Sequence, residues 1–117
     1  MEQIINAQIT STRFGFEEHN CLTFDIKFNN ANGWLTIGGY CIGHGSIYVD
    51  KESSITGSKK GTESMARIMW TVGADTWENL KGTYCRIKFD ESGKVTSIGH
   101  IVEDKWFNLA EYMKLKD

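Results

Sequence analysis

The stretch at residues 61–82, GTESMARIMWTVGADTWENLKG, limits the possible folds more than any other part of the chain. Met65, Ile68, Met69 and Val72 recur at i, i+3, i+4 and i+7, which lays one apolar stripe along a helix. Such a stripe has to be buried against another element. Gly61-Thr62 is read as the opening of this helix and Gly73 as its left-handed exit. Asp75 with Glu78 reads as the capping box of a second short helix that ends at Gly82.

The partner face is written in strands. Residues 4–12 read as a first strand that breaks at Arg13-Phe14-Gly15, and residues 17–20 as a polar turn. Residues 21–28 alternate, with Leu22, Phe24, Ile26 and Phe28 on one face and Thr23, Asp25 and Lys27 on the other. Residues 29–33 carry turn chemistry, and a third strand runs over residues 34–42. Its Gly38-Gly39 pair signals a bulge or a close approach. A turn at 43–45, a short edge strand at 46–49 and a polar, mobile loop at 50–60 follow.

After the helices, residues 84–89 read as a strand with Cys85, Ile87 and Phe89 on one face and Tyr84, Arg86 and Lys88 on the other. Asp90-Glu91-Ser92-Gly93 turns this strand into residues 94–101, a β-hairpin. Asn108 with Glu111 is a second capping box, opening a C-terminal helix that runs to about Lys114. Strands cluster without βαβ alternation. The expected fold is therefore α+β: an antiparallel sheet with two helices packed on one face, a β-hairpin and a short C-terminal helix. The 117 residues are expected to form a single domain, 1–117.

A net charge of −2 argues against duplex nucleic acid as a partner. No basic N-terminal region with an apolar run marks a signal peptide, and no span long enough for a membrane is present. Cys21, Cys41 and Cys85 are an odd set without CxxC spacing; they give no zinc signature and no disulfide framework, and read as reduced thiols of a cytosol. His19, His44 and His100 fall in no nucleophile or HExxH pattern. The chain is expected to be a binder rather than an enzyme, with no cofactor and no metal.

Anion binding has more support. Lys59-Lys60-Gly61-Thr62 leads into a helix N-terminus, where free N–H groups and the dipole favour negative charge; a basic loop before an ordinary cap is the plainer alternative. The Tyr84, Arg86, Lys88 face offers a ring for a base and cations for phosphate, or is a routine exposed strand face. Arg13-Phe14 repeats that combination. His100 beside Gly99 is either an anion donor or a hydrogen-bonded structural histidine. Arg67 and Lys105 complete the candidate ligand contacts. Trp70, Trp77, Trp106 and Phe107 read as core or subunit contact.

ITSTRFGFEEHNCLTFDIKF, GGYCIG, GTESMARIMWTVGADTWENLKGTYCRIKF and IGHIVEDKWF, in that order, resemble the type I Thoeris anti-defence proteins of phages. The pieces that carry the likeness are His19, Gly38-Gly39-Tyr40, Gly61-Thr62, Trp77 with Leu80-Lys81-Gly82, and Gly99-His100 with Lys105-Trp106-Phe107. The chain differs from that pattern in Trp34-Leu35, in the loop 50–60, and in having Lys114 and Lys116 where arginines are expected. The resemblance implies a non-catalytic sponge in the host bacterial cytoplasm that sequesters glycocyclic ADP-ribose made by TIR-domain sensors. It further implies a homo-oligomer, dimer or hexamer, with adenine stacked on aromatics and arginines on phosphates between protomers. Some members also take cyclic oligonucleotides of the CBASS system. Two other functions are carried: a protein–protein inhibitor of a host defence complex, of the anti-CRISPR kind, and a small single-strand nucleic-acid binder.

Overall fold

The computed structural model describes residues 3–17, 20–30, 33–48 and 54–115. The chain runs β1 (Gln3–Phe16), β2 (Cys21–Asn30), β3 (Gly33–Gly38), β4 (Gly43–His44), β5 (Thr56–Gly57), α1 (Lys59–Val72), a 3₁₀ turn (Glu78–Leu80), β6 (Tyr84–Phe89), β7 (Val95–His100), β8 (Trp106–Asn108) and α2 (Leu109–Lys114). All strand pairs are antiparallel, in the order β5-β4-β2-β1-β6-β7-β8, with β3 also on β2. The sheet curls into a half-barrel and the fold is α+β.

The inner face carries Ile9, Phe24, Ile26, Phe28, Ile87 and Ile98, all fully buried. α1 packs there against β7 and β8 through Ile68 and Val72. Burying two such side chains stabilises by about 2 kcal/mol each, against about 1 kcal/mol for a side-chain cap. Packing therefore fixes α1 more than its ends do. The buried hydroxyls of Ser64 and Thr71 donate back to the carbonyls of Gly61 and Arg67, so neither is left unpaired. Trp77 meets Phe24 edge-on with centroids 5.4 Å apart. Among the described residues no helix is long and apolar enough to cross a membrane.

Several local expectations need correction. β1 does not break at Arg13; it continues to Phe16, and its irregularity is one extra residue at Thr10, where Ile9 faces Phe28 and Ser11 faces Lys27. A bulge lets one long strand bend, so that its first half pairs with β6 and its second with β2. The expected turn at 43–45 holds the two-residue β4, and Ile47 and Tyr48 of the expected edge strand at 46–49 lie in a turn. α1 begins at Lys59, because the Ser58 hydroxyl accepts from Gly61 N at 2.9 Å. Lys59 and Lys60 thus lie inside the helix, and the loop also contains β5. Asp75 makes no capping box: its carboxylate accepts from the Asn79 side chain at 2.8 Å, and the second helix is a single 3₁₀ turn. Gly73 does end α1, at φ +84°, and Asn108 does cap α2 by accepting from Glu111 N. Parts of the expected turns at 17–20 and 29–33, of the edge strand at 46–49 and of the loop at 50–60, namely residues 18–19, 31–32 and 49–53, lie outside the described residues, as do His19 and Lys116.

Candidate functional site

On the outer face, Arg86 and Lys88 of β6 stand across from Gly99 and Ser97 of β7, and Gly99 stands across from Trp106 of β8. A Cβ on Gly99 would lie 2.6 Å from the Trp106 ring. The indole can lie against the sheet only because position 99 has no side chain. Both cations then stack on it, the Arg86 guanidinium carbon 4.8 Å and the Lys88 ammonium 4.3 Å from the ring centroid. Tyr84 shares this face and is 60 % exposed; Ile4 of β1, opposite Lys88, is 55 % exposed.

The turn between β7 and β8 closes one end of this platform. Arg86 donates from Nε to the His100 carbonyl and from Nη2 to the Glu103 carbonyl, both at 2.7 Å. His100 Nδ1 accepts from Val102 N at 3.1 Å and Glu103 N at 2.9 Å, which places its ring proton on Nε2. That Nε2 lies 3.6 Å from the Glu103 carboxylate. Lys105 Nζ lies 3.3 Å from the same carboxylate, donates to the Trp70 carbonyl at 3.3 Å, and is 4.5 Å from the Trp70 ring centroid. The C-terminal end of a helix favours a cation, and here it anchors Lys105. Trp70 is 65 % exposed and Val102 80 %.

At this seam, where the turn meets the end of α1, His100 and Lys105 flank one carboxylate, that of Glu103, with the Trp70 ring against Lys105 and Arg86 on the Glu103 backbone. Glu103 occupies the position an anionic ligand would take between His100 and Lys105. The Glu103 side chain is 61 % exposed, and a pair with one partner in solvent is worth about 1 kcal/mol, so a phosphate can displace the carboxylate at small cost.

Of the sequence candidates, the fold brings Arg86, His100 and Lys105 together and leaves Tyr84 on the same face. The others lie elsewhere. Lys59, Lys60, Gly61 and Thr62 form the far end of α1, whose 14 residues span about 20 Å. Ser58 occupies the amides of Gly61 and Thr62 there, and a Cβ on Gly61 would meet Ile42 Cβ at 2.5 Å, so this glycine serves packing. Arg67 lies over the Tyr112 ring at 5.2 Å, and the Tyr112 hydroxyl donates to Glu63 at 2.6 Å, a clasp between α1 and α2. That bond to Glu63 pushes the Tyr112 phenol above its ordinary range. Arg13 is spent on Glu17, Thr23 and the Phe16 carbonyl, with Phe14 exposed beside it.

Residue type alone assigns Trp106 and Trp70 to core or subunit contact; a glycine directly across from a cation-bearing strand position, with a tryptophan on the strand beyond, is the signal for a flat-lying ring at Trp106. A cavity of about 320 Å³ lies elsewhere, between the β6–β7 turn and α2, where Asp90 and Glu111 offset Lys94 and Lys114. Cys21, Cys41 and His44 bring three donor atoms within 4.8 Å of one another, although their spacing carries no metal motif. No family model, curated protein or solved structure matches the chain.

Proposed function

We propose that this chain is a phage anti-defence sponge that binds cyclic ADP-ribose isomers, glycocyclic ADP-ribose first, and holds them uncleaved in the host bacterial cytoplasm, with cyclic oligonucleotides as a further ligand class. The observation that carries the reading is the Arg86–Trp106–Lys88 stack on Gly99, joined to Lys105 and Trp70 at the end of α1. An adenine stacks on the exposed Trp70 or Tyr84 ring, and the diphosphate displaces Glu103 from Lys105 and His100. Charge-assisted contacts of this kind, desolvated at a seam, supply grip without turnover.

Ile4 of β1 and Tyr84 of β6 flank the platform, and Val102 of the β7–β8 turn and Trp70 at the end of α1 are likewise exposed on one protomer. Exposed apolar groups grouped around a polar centre mark an interaction surface, and a second copy laid on this rim would pool cations from both chains. The reading therefore includes a homo-oligomer, dimer or hexamer.

The test is isothermal titration of glycocyclic ADP-ribose into the purified protein, followed by heat denaturation and chromatography of the released ligand. Stoichiometric heat and intact ligand are expected. Release of a linear or cleaved product would make the protein an enzyme, and no heat with any cyclic ADP-ribose isomer or cyclic oligonucleotide would end the reading.

A further inference from the structure

The glycine pair in the β3–β4 segment does more than end a strand. β3 and β4 lie on the same edge of β2, one after the other: Gly38 faces Asp25 and Gly43 faces Leu22. Three steps along β2 are thus matched by five on the facing segment, and two extra residues are pushed out. Gly38 and Gly39 take φ of +114° and +86°, and a Cβ on Gly38 would lie 2.4 Å from the Phe24 carbonyl, so a side chain there is barred. Amides of Gly39 and Ile42 return to the carbonyls of Phe24 and Leu22 and clamp both ends of the bulge. Cys41 rides on it.

Immediately beyond the bulge, His44 is the register partner of Cys21 across β2 and β4. Opposed residues in an antiparallel pair share a face. The backbones of these two are therefore fixed relative to one another before any ligand arrives, and the bulge adds Cys41. The three donor atoms lie within 4.8 Å of one another. The seam at the end of α1 uses none of them.

We propose that Cys21, Cys41 and His44 form a binding site for a thiophilic divalent cation, zinc foremost, with water in the fourth position. Two thiolates and one imidazole suit zinc in hardness and in coordination number. Bonds of about 2.3 Å to sulfur and about 2.0 Å to nitrogen in a tetrahedron set donor separations of about 3.5–3.8 Å. Donor atoms already within 4.8 Å of one another need to close by only about 1 Å, and Cys41 and His44 lie at the surface, where side-chain rotation can supply it. Cys41 Sγ now donates to the Gly43 carbonyl at 3.1 Å, a bond its thiolate gives up when the ion replaces the proton. Each thiol releases one proton to solvent as its sulfur–metal bond forms, and no electron is transferred. The ion would fasten the start of β2, the bulge and β4, a strand held by only two residues, into one unit.

Cobalt(II) is the probe, added to the reduced full-length protein under inert gas. The expected result is one equivalent bound, with thiolate-to-cobalt charge-transfer absorption and intense visible d–d bands of tetrahedral cobalt, all bleached by zinc. Cys21→Ser and Cys41→Ser are each expected to lose about half of the charge-transfer intensity at saturation and to bind at least about a hundredfold more weakly, the upper range reached by losing a mere outer-shell partner. His44→Ala is expected to retain the charge-transfer absorption in weakened form. Cys85→Ala should bind as the wild type does, since that thiol is sealed in the core and pushed up to about 12 by burial. Circular dichroism of each variant confirms folding before titration. Absence of the bands, bands of undiminished intensity in either serine variant, or a Cys21–Cys41 disulfide that forms in the presence of equimolar zinc would each overturn the proposal.

Discussion

At its N-terminus α1 presents Lys59 and Lys60 on a turn closed by Ser58, with Gly61 pressed against Ile42. At its C-terminus, about 20 Å away, Trp70 stands exposed beside Lys105, and the β7–β8 turn brings His100, Glu103 and Trp106 alongside. Both ends are basic, yet only one has the rings. A helix N-terminus attracts anions through its open amides; here the Ser58 hydroxyl has taken that of Gly61. The C-terminal end lacks that dipole advantage, but its cations are held on indoles and countered by a single displaceable carboxylate. On the proposed reading, local charge alone does not make a ligand site, and what the neighbouring groups already bind decides between the two ends.

The sharpest contrast comes from Gly61→Val. Its branched side chain meets Ile42 at the packed end of α1, and overpacking of this kind costs about 3 kcal/mol. Denaturant unfolding should show that loss, while ligand affinity of the folded fraction stays at the wild-type value. Trp70→Ala should behave in the opposite way. Base–aromatic stacking is worth about 1–3 kcal/mol, so affinity should fall about thirtyfold by titration with little change in melting temperature.

Arg86→Ala should do both. It removes two hydrogen bonds from a charged donor to the β7–β8 turn, a stability loss of about 2 kcal/mol, and it loosens the loop that holds Glu103 and Lys105. Arg86→Lys should recover little, since one ammonium cannot span both carbonyls. Glu103→Gln should strengthen binding of the dianion by up to about fivefold, because it frees Lys105 at the cost of an exposed pair. The smallest effect is expected of Lys59→Gln: a stability gain of about 0.3 kcal/mol from removing a cation at a helix N-terminus, with affinity unchanged. A large affinity loss in Lys59→Gln would reverse the comparison of the two ends.

Periodicity carried much of the architecture. The alternation of Leu22, Phe24, Ile26 and Phe28, the α1 stripe and the β6–β7 hairpin all follow from side-chain spacing that tertiary packing did not override. The break assigned to Arg13 failed because a strand with different partners on its two halves bends at an inserted Thr10, where no glycine marks the place. The start of α1 was misplaced by two residues because Gly61 resembled a cap while serving a close approach to Ile42. Arg86, His100 and Lys105 are named by residue type alone; that they lie together, beside Trp106 and Trp70, depends on register and on the position of α1. The Cys21–Cys41–His44 cluster was not legible, since it depends on a strand register and a two-residue bulge rather than on local spacing.

Backbone and indole N–H resonances followed through a titration with glycocyclic ADP-ribose test the central claim most directly. Shifts concentrated at Trp70, Gly99, His100, Glu103, Lys105 and Trp106, with Lys59 to Thr62 still, are the predicted result. Shifts centred on the N-terminal turn of α1, or none anywhere at saturating ligand, would contradict it.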